Sequence, residues 1–179
     1  MPLKQALLIA VLALLLNGCT SMYQAATDDR SLGNQASDAE ICTSIRSNLT
    51  AKDAGALTVL DVFCFNQVVV ITGALPPNYT LAQDAVQIAK ATKGVKRVET
   101  YYVPKPAQDT GDAEIAVKVK AALVGDMSMT TAGTDLDVVA GNVVLVGVVN
   151  DKAKEDKIIA HARSVEGVKS VKSFIVVQR

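Results

Sequence analysis

The sequence predicts an α+β protein made of two tandem αββαβ units, each a three-stranded mixed sheet with two helices packed on one face. Three observations carry this prediction. Blocks of sequence recur in the same order along the chain: Asp38-Ala39-Glu40-Ile41 returns as Asp112-Ala113-Glu114-Ile115, and Val69-Val70-Ile71-Thr72-Gly73 as Val143-Val144-Leu145-Val146-Gly147. Gly94-Val95-Lys96-Arg97-Val98 then returns, one residue closer, as Gly167-Val168-Lys169-Ser170-Val171. Between these blocks the apolar spacing switches from helical to strand period, in the same order both times.

Helix one carries Ile41, Cys42, Ile45 and Leu49 in the first copy and Ile115, Ala116, Val119 and Leu123 in the second. This is a one-sided apolar stripe, with Asp38 and Asp112 placed to cap the first unpaired N–H groups. A period-two strand follows, with Leu60, Val62 and Cys64 matched by Leu136, Val138 and Ala140. Tight connections at Asn66-Gln67 and Gly141-Asn142 predict hairpins. The next strand is a β-branched run, Val68 to Thr72 and Val143 to Val149, which predicts burial on both faces. A second helix uses Val86 and Ala89 in one copy and Ile159 and Ala162 in the other, with Asn78 and Asn150 as expected caps. A last strand, Val95 to Val103 and Val168 to Val177, closes each unit. The packing buries the one apolar side that each element has.

The expected organisation is a signal peptide over 1–18, a lipidated tether over 19–37, units over 38–103 and 112–179, and a proline-stiffened linker over 104–111. The signal has one positive charge, Lys4, before the apolar run Ala6 to Leu16. That run is too short for a membrane-spanning helix, which needs about 20 residues, and fits an export signal. It ends in Leu16-Asn17-Gly18-Cys19, which resembles a bacterial lipobox and implies acylation of Cys19, palmitate included. Three acyl chains on one residue exceed what stable anchoring requires. Thr20 after the cysteine resembles the outer-membrane sorting pattern.

Composition excludes some functions. Half of the 179 residues are hydrophobic, the formal net charge is zero and Trp is absent. Neither a basic phosphate-binding surface nor an aromatic platform for single strands is present, so nucleic acid is not an expected partner. With Cys19 acylated, Cys42 and Cys64 remain. The repeat places both on apolar faces of neighbouring elements, facing each other. They are expected either to join in an oxidising compartment, closing a loop worth about 3 kcal/mol, or to stay as buried free thiols.

Residues that could carry chemistry are few. His161 is the only histidine and sits on a helix among Lys157, Arg163 and Glu166. No partner set for nucleophilic catalysis and no metal-ligand spacing is visible, so a non-enzyme without cofactor is expected. Two surfaces could bind. One is the loop Val124-Gly125-Asp126-Met127-Ser128-Met129, whose methionines suit varied partners or acyl chains or tuck under the helix. The other is the sheet face with Phe63, Phe65, Tyr101 and Tyr102, which packs on the sister unit or on a partner.

The αββαβ order, the strand-ending Gly73 and Gly147 and the Gly-Val-x-x-Val closures at Gly94 and Gly167 resemble BON domains. With the lipobox and the stretch Ala26 to Gln35, the whole chain resembles the DolP-like, dual-BON outer-membrane lipoproteins. The resemblance implies a periplasm-facing protein that supports envelope integrity near the β-barrel assembly machinery. It also implies anionic phospholipid binding by the second unit's first helix and adjacent loop, at Glu114, Ile115, Lys118, Met127 and Met129. That family's lipid-inserting Trp is replaced here by Glu114, which an anionic surface disfavours, with Lys118 and Lys120 as an offset. The competing expectation is a structural adaptor in an outer-membrane assembly or secretion complex. A hydrolase built on His161 is the third.

Overall fold

The computed structural model describes residues 28–126 and 132–178. Its elements in chain order are α1 (Leu32–Lys52), a 3-10 turn (Ala56–Thr58), β1 (Leu60–Phe65), β2 (Val68–Leu75), α2 (Leu81–Ala91) and β3 (Arg97–Pro104). The second unit follows as α3 (Asp112–Gly125), β4 (Thr134–Val139), β5 (Asn142–Val149), α4 (Lys152–Ser164) and β6 (Ser170–Val177). Within each unit the first two strands pair antiparallel and the second and third pair parallel. This is the αββαβ mixed sheet that the sequence predicts. No helix among the described residues is long and apolar enough to cross a membrane.

Alternation along the central strands sorts their side chains onto two faces. Val69 and Ile71 face the helices and pack with Ile45, Leu49, Leu60 and Val62. Their counterparts Val143 and Leu145 pack with Val119, Leu123, Leu136 and Ile158. The other face of each sheet closes on its sister. Val70, Val139, Val144 and Val146 form a third buried cluster, joined by Phe63, Phe65, Tyr101, Val103 and Phe174. The β-branched runs are therefore buried on both sides. At this seam β1 packs against β5, and β2 against β4. Tyr102 does not share it: one residue from Tyr101, it points to the helix side, packs in the first core and donates weakly to the Ala82 carbonyl. Burial pushes its phenol up to about 12.

Several local expectations are corrected. The helix begins at Leu32, where the Ser31 hydroxyl accepts from the Asn34 N–H, so part of the expected tether is folded. Asp38 is thus inside α1 and cannot cap it. Asp112 is the first residue of α3, after Gly111, and caps nothing either. Both carboxylates instead reach across their unit to the hairpin turn. Asp38 accepts from the N–H groups of Asn66 and Gln67 at 2.7 and 2.8 Å, and Asp112 from those of Ala140 and Gly141 at 2.8 and 2.7 Å. The second turn is therefore Ala140-Gly141, with Asn142 already in β5. All four turn residues have positive φ, as a type I′ hairpin requires. Three of them are not glycine, and left-handed backbone costs such residues about 1 kcal/mol or more. The carboxylate offsets that cost by satisfying both turn donors with charge-assisted bonds.

The second helices start elsewhere too. Thr80 and Asp151 stand at the N-caps of α2 and α4, and only Asp151 makes a side-chain cap, to Ala153. The buried positions of these helices are Leu81, Ala82, Ala85 and Ala89, then Ile158 and Ala162, with Val86 and Ile159 at the margin. Gly73 and Gly147 lie inside their strands. A Cβ there would come within 2.5 Å of the Val59 carbonyl oxygen or 2.4 Å of that of Gly133. Close backbone approach, not a strand end, explains these glycines.

Cys42 and Cys64 are joined in a disulfide, with their Cα atoms 5.7 Å apart, between α1 and β1.

A part-buried polar contact crosses the seam. The Thr72 hydroxyl donates to the Asp137 carboxylate. Burial raises the Asp137 pKa, with Asp112 and Asp135 adding to it, while the Thr72 and Val138 hydrogen bonds pull the other way. Asp61, on the same sheet face, is also raised by burial and by Asp137, against Arg46. A carboxyl raised on folding stabilises the fold fully below the ordinary carboxylate range, and the stabilisation is lost as pH rises through its folded value. Asp137→Asn keeps an acceptor for Thr72 and removes the charge. It is expected to raise the urea midpoint at pH 7 and to leave it unchanged near pH 3. Equal shifts at both pH values would contradict the assigned cause.

Candidate functional site

The solvent face of α3 is the most unusual surface of the described molecule. Ile115, Val119 and Leu123 turn inward and are buried. The opposite side of a helix should be polar, yet it presents Ala113, Val117, Ala121 and Val124, with Val117 68% and Val124 69% exposed. Helical spacing puts these four on one stripe. Its rims are Lys120 on one side and Glu114 with Lys118 on the other. Lys118 Nζ lies 2.7 Å from the Glu114 carboxylate, and that pair lowers the Glu114 pKa and raises that of Lys118. Lys120 is 3.6 Å from Asp135. Charge on the rims is largely matched, so the stripe's apolar character is its main chemical feature.

The equivalent face of α1 is different. Ala39, Thr43, Ser47 and Thr50 occupy the matching positions, all exposed and mostly polar. Two copies of one fold thus differ where packing imposes nothing.

Family comparison covers both units. The BON domain model matches residues 37–101 and 111–179. The chain belongs to the BON-domain family. It is 28% identical over 148 residues to the Osmotically-inducible protein Y of Escherichia coli (strain K12), covering 79% of this chain and 73% of that protein. Among solved structures it resembles two of CdsD, described as a structural protein of the Type III secretion system of Chlamydia trachomatis. Each is 16% identical with a TM-score of 0.33 and covers 79% of this chain, against 67% and 63% of those chains. BON domains are a non-catalytic family, and no enzymatic family is indicated.

Within the second BON domain the expected site residues separate. Glu114 and Lys118 are exposed on α3 and paired with each other. Ile115, at 6% exposure, is a core residue packed against Gly167 and not part of the exposed face. Met127 and Met129, like Cys19, lie outside the described residues. Val117 and Ala121 were not singled out from sequence, and Val124 was read as part of the loop, whereas it lies in α3. Comparison with Thr43, Ser47 and Thr50 in the first BON domain would have found them.

His161 has a carboxylate partner that the sequence did not mark: its Nε2 lies 3.1 Å from Asp126. The nearby Ser164 hydroxyl donates to the His161 carbonyl, not to the ring. Among the described residues no group of three His, Cys, Asp or Glu could hold a metal. An open groove of about 410 Å³ beside Leu75, Pro76, Tyr102 and Lys105 is mainly apolar, and its Tyr102 hydroxyl is turned to Ala82.

Proposed function

We propose that this BON-domain protein is an envelope lipoprotein of the outer membrane, held by acyl chains on Cys19, whose second domain lies against phospholipid through the α3 stripe. Its role is binding and positioning in support of envelope integrity, with the domains on the periplasmic side. The observation that carries this reading is the contrast between Val117, Ala121 and Val124 on α3 and Thr43, Ser47 and Thr50 on α1. An apolar stripe on a surface helix gains by entering the boundary between headgroups and acyl chains. Matched rim charges favour apolar burial over attraction to anionic lipid, with Lys120 providing a modest preference for an anionic surface.

Flotation of the unlipidated chain, residues 20–179, with phosphatidylglycerol and phosphatidylcholine vesicles tests this. Binding is expected to both, stronger to phosphatidylglycerol and only weakly reduced by salt. Val117→Ser with Val124→Ser, which copies the polarity of α1, is expected to reduce partitioning about tenfold or more, since each buried CH₂ contributes about 0.8 kcal/mol. No flotation of the wild-type chain would overturn the lipid reading and favour a protein adaptor in an outer-membrane assembly complex, the β-barrel assembly machinery among the candidates.

A further inference from the structure

Three residues just before α1 tie the two BON domains together. Arg30 lies over the Phe65 ring at 4.6 Å and donates to Asp38 at 2.7 Å, both in the first domain. Asp28 accepts from the Arg30 guanidinium and backbone N–H, and its carboxylate lies against Gly133 of the second domain, 2.6 Å from where a Cβ would stand. Asp29 accepts from Asn150 at 2.9 Å and from Lys154 at 2.8 Å. The Asp29–Lys154 pair is only 16% exposed on each side, so it is screened far less than a surface ion pair.

Lys154 and His161 share α4 at i and i+7, on one face and about 10 Å apart. Lys154 holds the N-terminal strap. His161 holds Asp126, the residue that ends α3. Asp29 and Asp126, at the end of the α3 stripe, are therefore held by the same face of α4. Nine peptide steps separate Asp28 from Cys19, a reach of at most roughly 30 Å.

We propose that the Asp28–Arg30 strap fixes the exit of the N-terminal chain beside α3, so that the acylated terminus and the apolar stripe are presented to the same membrane together. This rests on the lipid reading of α3 given above. The strap sets the effective concentration of the stripe at the bilayer, so a weak apolar contact becomes occupied once the anchor is in place. Released from Lys154, the exit point swings and the stripe loses that advantage with no change in its own residues.

The test uses the full acylated chain in vesicles of phosphatidylethanolamine and phosphatidylglycerol, with amide hydrogen exchange read over 112–125. In the wild type, vesicles are expected to slow exchange across this segment. In Asp29→Ala/Lys154→Ala the protein still floats through its acyl chains, but the vesicle-dependent protection of α3 falls about tenfold. The charge swap Asp29→Lys/Lys154→Asp restores it. Exchange measured without vesicles confirms that α3 remains folded in each variant. Protection retained in full by the double alanine variant would overturn the strap proposal alone. A wild type that gains no protection would overturn the lipid reading of α3 and this proposal with it.

Discussion

Asp38→Ala is expected to destabilise the first domain by about 3–5 kcal/mol, as removal of one partner from a buried ion pair does. The side chain is 3% exposed, yet its two oxygens serve three donors: Arg30, Asn66 and Gln67. Without it, the two turn N–H groups lose their acceptor, and left-handed backbone at Asn66 and Gln67 is no longer offset. Arg30 also loses one of the two carboxylates that outweigh its desolvation and hold its pKa above the ordinary value. Asp112→Ala is the internal comparison. It removes the same two turn contacts, but its other partner among the described residues is the Thr110 hydroxyl and not a cation, so a smaller loss of about 2 kcal/mol is expected. Urea unfolding of both variants measures the difference. Equal losses would mean that Arg30 adds nothing to the clamp.

The disulfide gives the second large effect. Cys42 and Cys64 are separated by 22 residues, and closing a loop of that size restricts the unfolded chain by about 3 kcal/mol. The second domain manages without a cross-link, using Ala116 and Val138 in its apolar core; strand register puts Val138, and not the Ala140 matched from sequence, at the place of Cys64. Cys42→Ala/Cys64→Val copies that solution and keeps the site filled. It is expected to lower stability by about 3 kcal/mol in oxidising buffer and to leave no further response to dithiothreitol. The wild type should lose a similar amount on reduction. A variant as stable as the oxidised wild type would show that packing, not the cross-link, holds α1 on β1.

The duplicated fold was legible because periodicity is local and was written twice. Ile41, Ile45 and Leu49, followed by Leu60, Val62 and Cys64, state helix and then strand without any tertiary information. What could not be read was non-local. The pattern Asp-Ala-Glu-Ile before an apolar stripe looks like a cap, but whether the carboxylate turns to its own helix or to a hairpin 28 residues away depends on where the hairpin lands. Leu32 to Ser37 have no apolar period and contain Gly33, so nothing nearby announces a helix. That turn is held by the Ser31 cap and by Gln35 donating to the Arg30 carbonyl. The Asp29–Lys154 pair spans 125 positions and is invisible to any window. Ile115 was named as a contact residue on resemblance, although its own place in the Ile115, Val119, Leu123 stripe already marked it as core.

The seam between the sheets has a consequence for how the pair holds together. The β1–β5 and β2–β4 contacts exchange with each other when the two domains are swapped, which is the rule of an isologous homodimer interface. The chain is in effect a dimer whose subunits have been joined end to end, so dilution cannot separate them as it would two free subunits. Joining also frees each half to change alone. Thr72 faces Asp137 across the seam, while Val146 stands at the matching place in the second sheet, and only one helix of the pair has acquired an apolar outer face. In a true homodimer every such change would appear twice.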